Sequence, residues 1–417
     1  MCSVAEGDFG DEGGIHTMLK DVVLTAIEDE NCKKCAVKKH KFRATLGSSK
    51  ILKRQSNVLL QFKGTAADVS LLHMIQSAFE EESYKRLSFD LKIVFVDENS
   101  TKGDILENRM MKVQEIKDVF QQFPRFTCCY TTIADSLKII EDITTISFKD
   151  METIIKSEED FISTYNFIET YTSKQDFIEM CKKNALRDIA NHLNCSYIFL
   201  SDISVDLATK LISNIALGRG ASVAYDVSFC DDRIDHIKII KPLKDLNQTE
   251  VDHYVKFNNL KFCSITSSLE DNTIASIQNL TSNFINQLQK NSFNSTISTV
   301  YKCTNKIAPN NKKIPSQNNS TYLKMTRPYI TDMNQRCLLC KSVLDYNHSE
   351  TLYAIEFSRC VSSQIASNIE GIENLQKIQE MSANAKNGNE NDRNKFLCHG
   401  CRNIFSGMKE ETLTNIF

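Results

Sequence analysis

The sequence predicts an α/β protein, a parallel sheet with helices on both faces, followed by a separate cysteine-rich tail. Three observations predict it. Between residues 57 and 240, short apolar runs of strand length alternate with longer segments whose apolar residues recur at helical spacing. This strand, helix, strand, helix rhythm is that of a sheet whose parallel strands need helical crossovers. Two Cys-x-x-Cys pairs then stand beyond a polar stretch, near the C-terminus.

The elements follow in order. An acidic head ends near Glu30, and from Lys33 to Arg54 the chain carries nine lysines and arginines and no acid. The run 57–62 is short, apolar and strand-like. Lys63-Gly64-Thr65-Ala66-Ala67-Asp68 is turn-forming, and Val69 to Phe79 sets Leu71, Leu72, Ile75 and Phe79 on one helical face. Leu91 to Asp97 reads as a buried strand with a carboxylate at its C-terminal end. A helix carrying Ile105, Met111, Val113, Ile116, Val119 and Phe120 comes next, then the strand-like Phe126 to Tyr130. Residues 134–170 fit neither period cleanly and are read as including an insertion. Lys174 to Leu193 is helical, with Phe177, Cys181, Ala185, Ile189 and Leu193 in phase. Tyr197 to Leu200 is a strand, and a helix through Leu207, Leu211 and Ile215 ends at Gly218, a suitable cap. The last strand is His236 to Ile240, followed by helices near 247–257 and 274–288. Thr304 to Asn319 is an Asn/Lys/Pro/Ser linker. The expected plan is therefore a head and basic arm over 1–55, an α/β domain over 56–303, a linker over 304–330 and a cysteine module over 331–417. A polar run from Ser382 to Lys395 interrupts that module.

The 417 residues hold ample apolar material for a core, at 41% hydrophobic and 25% charged. A net charge of −3 gives no global attraction to nucleic acid or membrane, so such a partner must be held by local patches. The first twenty residues lack the apolar run of a signal peptide, and no window approaches the ~18 apolar residues of a membrane span. A cytoplasmic location is expected, where the fifteen cysteines stay reduced and paired Cys-x-x-Cys motifs point to metal or redox chemistry.

The strongest metal signal is Cys337-Leu-Leu-Cys340 with Cys398-His-Gly-Cys401. Two such turns supply four thiolates for a tetrahedral zinc, structural in role because no coordination position stays open. The 57 residues between them exceed the usual ribbon spacing, so part of the chain must loop out. The alternative is two independent pairs of reduced thiols. Cys32 and Cys35 form another Cys-x-x-Cys without a second pair within ribbon distance, and whether they bind metal stays open. Cys128 and Cys129 fall in a buried strand and read as core residues.

The basic run offers Lys38, Lys39, Lys41 and Arg43 to phosphates, each neutralised charge adding a salt-sensitive share of affinity. A second acid-free stretch, Lys302 to Tyr329, contains Lys312 and Lys313. A solvated basic arm is the competing reading. In a sheet of this kind ligands sit beyond the C-terminal ends of the strands. The turn 63–68 is then the phosphate-binding position, at a helix N-terminus with free N–H groups. Gly64 permits close backbone approach, but Lys63, Thr65, Ala66 and Ala67 make a poor anion cradle. No nucleophile stands beside a base.

Five short motifs, in order and in register, carry a resemblance. They are His40-Lys-Phe-Arg-Ala-Thr-Leu-Gly47, Ile215-Ala-Leu-Gly-Arg-Gly-Ala221, Lys241-Pro-Leu-Lys-Asp245, Ser295-Thr-Ile-Ser-Thr-Val-Tyr301 and Arg336-Cys-Leu-Leu-Cys340. Together they resemble the cytoplasmic tRNA 2-thiolation protein 2 family, from about Cys32 to the C-terminus. The resemblance implies a PP-loop, adenine-nucleotide-alpha-hydrolase-like fold. It implies a subunit of the complex that places sulfur on C2 of the wobble uridine (5-methoxycarbonylmethyl-2-thiouridine) of tRNAs for Lys, Glu and Gln. It implies as partners a homologous catalytic subunit, in a heterodimer or larger assembly, the tRNA, and a thiocarboxylated ubiquitin-related sulfur carrier, with no membrane. Lys38, Lys39, Lys41, Arg43, Lys312 and Lys313 become the tRNA-binding candidates.

The departures from the family's superfamily matter equally. Active PP-loop enzymes carry Ser-Gly-Gly-x-Asp-Ser where this chain has Lys63 to Asp68, keeping only the first glycine. Lys63, Gly64, Thr65, Asp68 and Asp97 are thus a degenerate nucleotide site, with no catalytic residue named and ATP expected only through the partner subunit. A Gly-His-Asn-x-Asp-Asp-like stretch is replaced by Ser201-Asp-Ile-Ser-Val-Asp206, without the histidine. Cysteines for an iron–sulfur cluster have no convincing counterpart, so none is expected. The N-terminal zinc ribbon is reduced to Cys32 and Cys35. An active adenylating sulfurtransferase in its own right and a zinc-dependent interaction scaffold are the alternatives.

Overall fold

Strand-forming runs and capped helices alternate as the apolar pattern requires. The computed structural model describes residues 33–49, 51–81, 87–98, 106–220, 222–234, 236–263, 276–291, 293–307, 336–342 and 397–404. Six strands, β1 (Ser56–Gln61), β2 (Phe89–Asp97), β3 (Cys128–Thr132), β4 (Tyr197–Phe199), β5 (Cys230–Ile234) and β6 (Ile237–Ile240), form one sheet in the order β3-β2-β1-β4-β6-β5. All neighbours pair parallel except β5 and β6, which are antiparallel. The chain starts in the middle, builds outward through β2 and β3, then crosses back to lay β4 on the other side of β1. That reversal opens a crevice at the C-terminal ends of β1 and β4.

The helices are α1 (Lys33–Ser49), α2 (Ala66–Phe79), α3 (Leu106–Phe120), α4 (Phe148–Ser157), α5 (Glu159–Phe167), α6 (Tyr171–His192), α7 (Ser204–Ala216), α8 (Val223–Val227), α9 (Gln248–Phe257), α10 (Ile277–Lys290), α11 (Asn294–Ile307) and α12 (His399–Ile404). Capping boxes start three of them, Thr65 with Asp68, Ser147 with Asp150 and Asn247 with Glu250. Each box satisfies amides that the first turn leaves without intrahelical partners. Gly218, expected as a helix end, follows the cap residue of α7 with a φ of +78°.

Side chains alternate across the strands, so the sheet carries two cores. Val58, Leu60, Phe62, Ile93 and Phe95 face one, with α2, α3 and α9; Leu59, Val94, Val96, Ile198 and Ile239 face the other, with α6. Cys128, read as a core residue, is 1% exposed.

Several expectations shift. The ambiguous stretch 134–170 holds a short 3-10 turn and the helices α4 and α5. Strand β5 (CDDRI) has too little apolar character to show in the sequence, and it is held by pairing with β6 and by buried ion pairs. Met111, expected on the apolar face of α3, is 59% exposed, while Val113, Ile116, Val119 and Phe120 are buried. The basic arm is helix α1, whose Cys35, Phe42 and Leu46 enter the core of the α/β domain. Helix α11 runs to Ile307, past the start expected for the linker. The acidic head, Cys32, Lys312, Lys313, most of the linker and the run 382–395 lie outside the described residues. Among the described residues no helix is long and apolar enough to cross a membrane.

Candidate functional site

At the crevice, β1 turns into α2 through Gly64, whose φ of +82° only glycine adopts readily. Thr65 caps α2, its hydroxyl accepting from the Asp68 amide at 3.2 Å. The Asp68 carboxylate answers: Oδ2 accepts from the amides of Lys63 and Thr65, both at 3.0 Å, and from the Thr65 hydroxyl at 2.8 Å. Its Oδ1 accepts from the Ser201 hydroxyl, and Asp68 is 1% exposed. A phosphate at this place would use such amides at a helix N-terminus. Here a carboxylate of the same chain takes two of them. The far side of the turn is covered too. The Gly64 carbonyl accepts from the Cys263 amide at 2.8 Å. A Cβ at Gly64 would stand 2.3 Å from Cys263 Sγ and 2.7 Å from Ile116 Cδ1.

Charged side chains ring the same strand ends and compensate one another. Lys182 pairs with Glu98 at 3.1 Å and with Glu179 at 2.5 Å, and Lys210 pairs with Asp202 at 2.7 Å. Asp206 accepts from the Ile203 amide at 2.9 Å. Against the opposing effect of burial, Lys182, Lys210 and Lys63 hold Glu179 well below the usual carboxylate range. Lys241, 2% exposed, donates to the Ser228 carbonyl at 3.0 Å. Burial pulls its pKa down to about 8, against the attraction of Asp231 and Asp202.

The structure brings Lys63, Gly64, Thr65 and Asp68 together in the turn. Asp97 has other partners: Arg109 Nε lies 2.9 Å from its Oδ2, and the Tyr130 hydroxyl donates to the same oxygen at 2.8 Å. Arg109 also pairs with Glu158 at 2.7 Å, all with side chains at most 2% exposed. Ser201 and Asp202, from the stretch that stands in for the superfamily's second motif, join the crevice, and Glu179, Lys182 and Lys210 join it without having been expected there. Only the polar Ser201-Asp202 directly after an apolar run gives a local signal in the sequence; topology supplies the rest.

Helix α1 sorts the basic run. Lys38 is 4% exposed and donates to His253 Nδ1 at 2.9 Å. Burial and the charges of Lys38, Lys34 and Lys256 keep the His253 pKa below its usual value, so the ring accepts as neutral imidazole. Lys41 pairs with Glu250 at 2.5 Å and Arg43 with Glu81 at 2.8 Å. Lys39 is half-buried and Lys34 and His40 are exposed.

On the opposite core, Cys337, Cys340, Cys398 and Cys401 bring their sulfurs within 4.8 Å of one another. Cys340 Sγ and Cys398 Sγ are 3.6 Å apart. Four thiolates at about 2.3 Å from one tetrahedral ion have sulfur–sulfur edges of about 3.8 Å, so the set fits a single zinc. The first knuckle closes through Cys337 N to the Ser342 carbonyl at 2.8 Å and Lys341 N to the Cys337 carbonyl at 3.0 Å, with Lys341 at a φ of +59°. The second closes through Arg402 N to the Cys398 carbonyl at 2.9 Å. Cys337 and Cys401 are fully buried, in the same core as Leu59 and Ile198.

Comparison with known proteins gives three findings. The model of a family described as cytoplasmic tRNA 2-thiolation protein 2 matches residues 276–403. Relatives bearing that name are 36% identical in Anopheles gambiae, over 98% of this chain and 100% of the relative, and 37% identical in Aedes aegypti, over 97% and 98%. The chain is also similar, at a TM-score of 0.46 and 15% identity, to a U34-tRNA thiolase, NcsA from Methanococcus maripaludis with its 4Fe-4S cluster. That likeness covers 66% of this chain and 78% of the other.

Proposed function

The chain belongs to the cytoplasmic tRNA 2-thiolation protein 2 family, and on that premise we propose that it serves tRNA 2-thiolation in the cytoplasm as a subunit that does not perform the chemistry itself. In this reading a homologous PP-loop subunit binds ATP and activates the wobble uridine of tRNAs for Lys, Glu and Gln. A thiocarboxylated ubiquitin-related carrier delivers the sulfur. This chain contributes a folded partner surface, the cationic helix α1 for tRNA, and a structural zinc at Cys337, Cys340, Cys398 and Cys401 rather than an iron–sulfur cluster.

One observation carries the reading. The Asp68 carboxylate holds the Lys63 and Thr65 amides, where a nucleotide's phosphate would need them. An anion brought there would meet a buried carboxylate instead of open donors, and like charges at close range repel strongly away from water. Asp97, which could otherwise have held magnesium at a strand end, is committed to Arg109 and Tyr130.

The test is calorimetric. ATP with magnesium is titrated into the isolated chain and into the complex purified with its native companions. Binding in the complex alone supports the reading. Micromolar binding by the isolated chain, abolished by Gly64→Val or Lys63→Ala, would reassign it as a nucleotide-using enzyme.

A further inference from the structure

The motif Ile215 to Ala221 finds no use in the crevice, and its central residues lie instead against the four-cysteine centre. Arg219 Nη1 donates to Cys401 Sγ at 3.2 Å, and its Nη2 donates to Asp176 of α6 at 2.6 Å. Its side chain is 1% exposed, and its Nε is buried without a hydrogen-bond partner. The first knuckle is held similarly. Arg233 of β5 donates from Nη1 to the Ser342 hydroxyl at 2.9 Å. That guanidinium pairs in turn with Asp226 and Asp231, both at 2.5 Å. Asp226 ties back to α6 through Lys183 at 2.9 Å and to α7 through Asn214 at 3.0 Å.

Shape agrees with charge. A Cβ at Gly218 would come 2.6 Å from the His399 ring, and a Cβ at Gly400 would come 2.5 Å from Arg219 Cγ. The two glycines therefore let loop and knuckle meet backbone to side chain in both directions.

We infer that Arg219 and Arg233 are positioning residues for the metal centre, and that loading it with zinc fixes the segment from the end of α7 to β5 against α6. The chemistry requires such partners. One zinc with four thiolates carries a net charge of −2, and a buried dianion is tolerated only beside cations that also donate hydrogen bonds. Outer-shell donors of this kind orient the sulfurs and hold the metal. When the metal leaves, nothing draws the four sulfurs together, and the two knuckles that Arg219 and Arg233 touch lose their common anchor. Residues 214–233 then feel the loss, although they supply no ligand. This holds whichever reading of the crevice is right.

Two measurements on the full chain test it. In the first, hydrogen–deuterium exchange is followed before and after zinc removal by a chelator. Exchange in 214–233 and in the facing part of α6 should rise at least ten-fold on chelation, with β1 and β2 unchanged. A rise confined to 336–342 and 397–404 overturns the inference. In the second, zinc release to a chromophoric chelator is timed for Arg219→Met, which should lose metal about 10–100-fold faster than the unaltered chain, with Arg219→Lys recovering part of the difference. Equal release rates overturn it. Should Arg219→Met fail to fold, the exchange experiment still decides, because it needs no variant.

Discussion

Ser201, two residues past β4, donates its hydroxyl hydrogen to Asp68, the third residue of α2. It thereby ties together the two strand ends between which the sheet changes direction. Asp68 is a capping residue, a tether to the next crossover and an internal anion at once.

Removing that anion separates these roles. Asp68→Ala leaves the Lys63 and Thr65 amides unsatisfied and should destabilise the chain by about 1–3 kcal/mol in urea unfolding. The same change vacates the donors, so inorganic phosphate should bind the variant more tightly than the unaltered chain. Weaker phosphate binding would mean that Asp68 had been helping an anion rather than replacing one.

Lys241 makes a pH-dependent prediction. Its pKa is lowered from 10.5 to about 8 in the folded chain, chiefly by burial. Between pH 8 and 10.5 the unfolded chain therefore binds more protons at this residue, and stability rises with pH. The contribution is fully present above 10.5 and lost as pH falls through 8. Lys241→Met lacks this slope. Its stability relative to the parent should fall by about 3 kcal/mol between pH 7 and 10.5, because only the parent gains, read from urea midpoints at both. A difference that does not change with pH would contradict the argument.

The buried group around Arg109 should be among the most sensitive positions in the fold. Arg109→Met strands the carboxylates of Asp97 and Glu158, both 1% exposed, and should cost about 3–5 kcal/mol. The triple change that adds Asp97→Asn and Glu158→Gln removes the stranded charges and should recover much of that loss. Denaturant unfolding of the three proteins distinguishes lost charge balance from lost packing.

Helix α1 separates stability from RNA binding within two adjacent lysines. Lys38→Glu replaces the donor to His253 with an anion in a nearly closed site, so thermal stability should fall. Lys39→Glu, half-buried, should change stability by about 0.5 kcal/mol or less. If α1 meets tRNA, the Lys39 change should also reduce the slope of log affinity against log salt by about 1 for each phosphate the helix no longer neutralises. An unchanged slope would remove α1 from the RNA surface.

Where residues repeat with a clear period, the sequence was a good guide. The runs around Val58 to Leu60 and Ile93 to Val96 and the amphipathic α6 lie where their apolar spacing put them. Strand β5 did not show because Asp231 and Arg233 are stabilised by distant partners, and periodicity sees only neighbours. The basic run read as a patch of charge, yet Lys38, Lys41 and Arg43 each have a partner more than 30 positions away. The four cysteines were visible through spacing alone. What they lean on was not, since Arg219 and Arg233 carry no local mark of a metal's outer shell. The turn after β1 stood out in the sequence by its departure from the superfamily's motif, while the carboxylate that folds back on it became evident only once Asp68 could be seen accepting from Lys63.

The two cysteine knuckles come from positions 58 apart that are pinned to the same helix-backed wall. A single ion gripping both knuckles would therefore act as a cross-link between distant parts of the chain, restricting the unfolded ensemble much as a disulfide does.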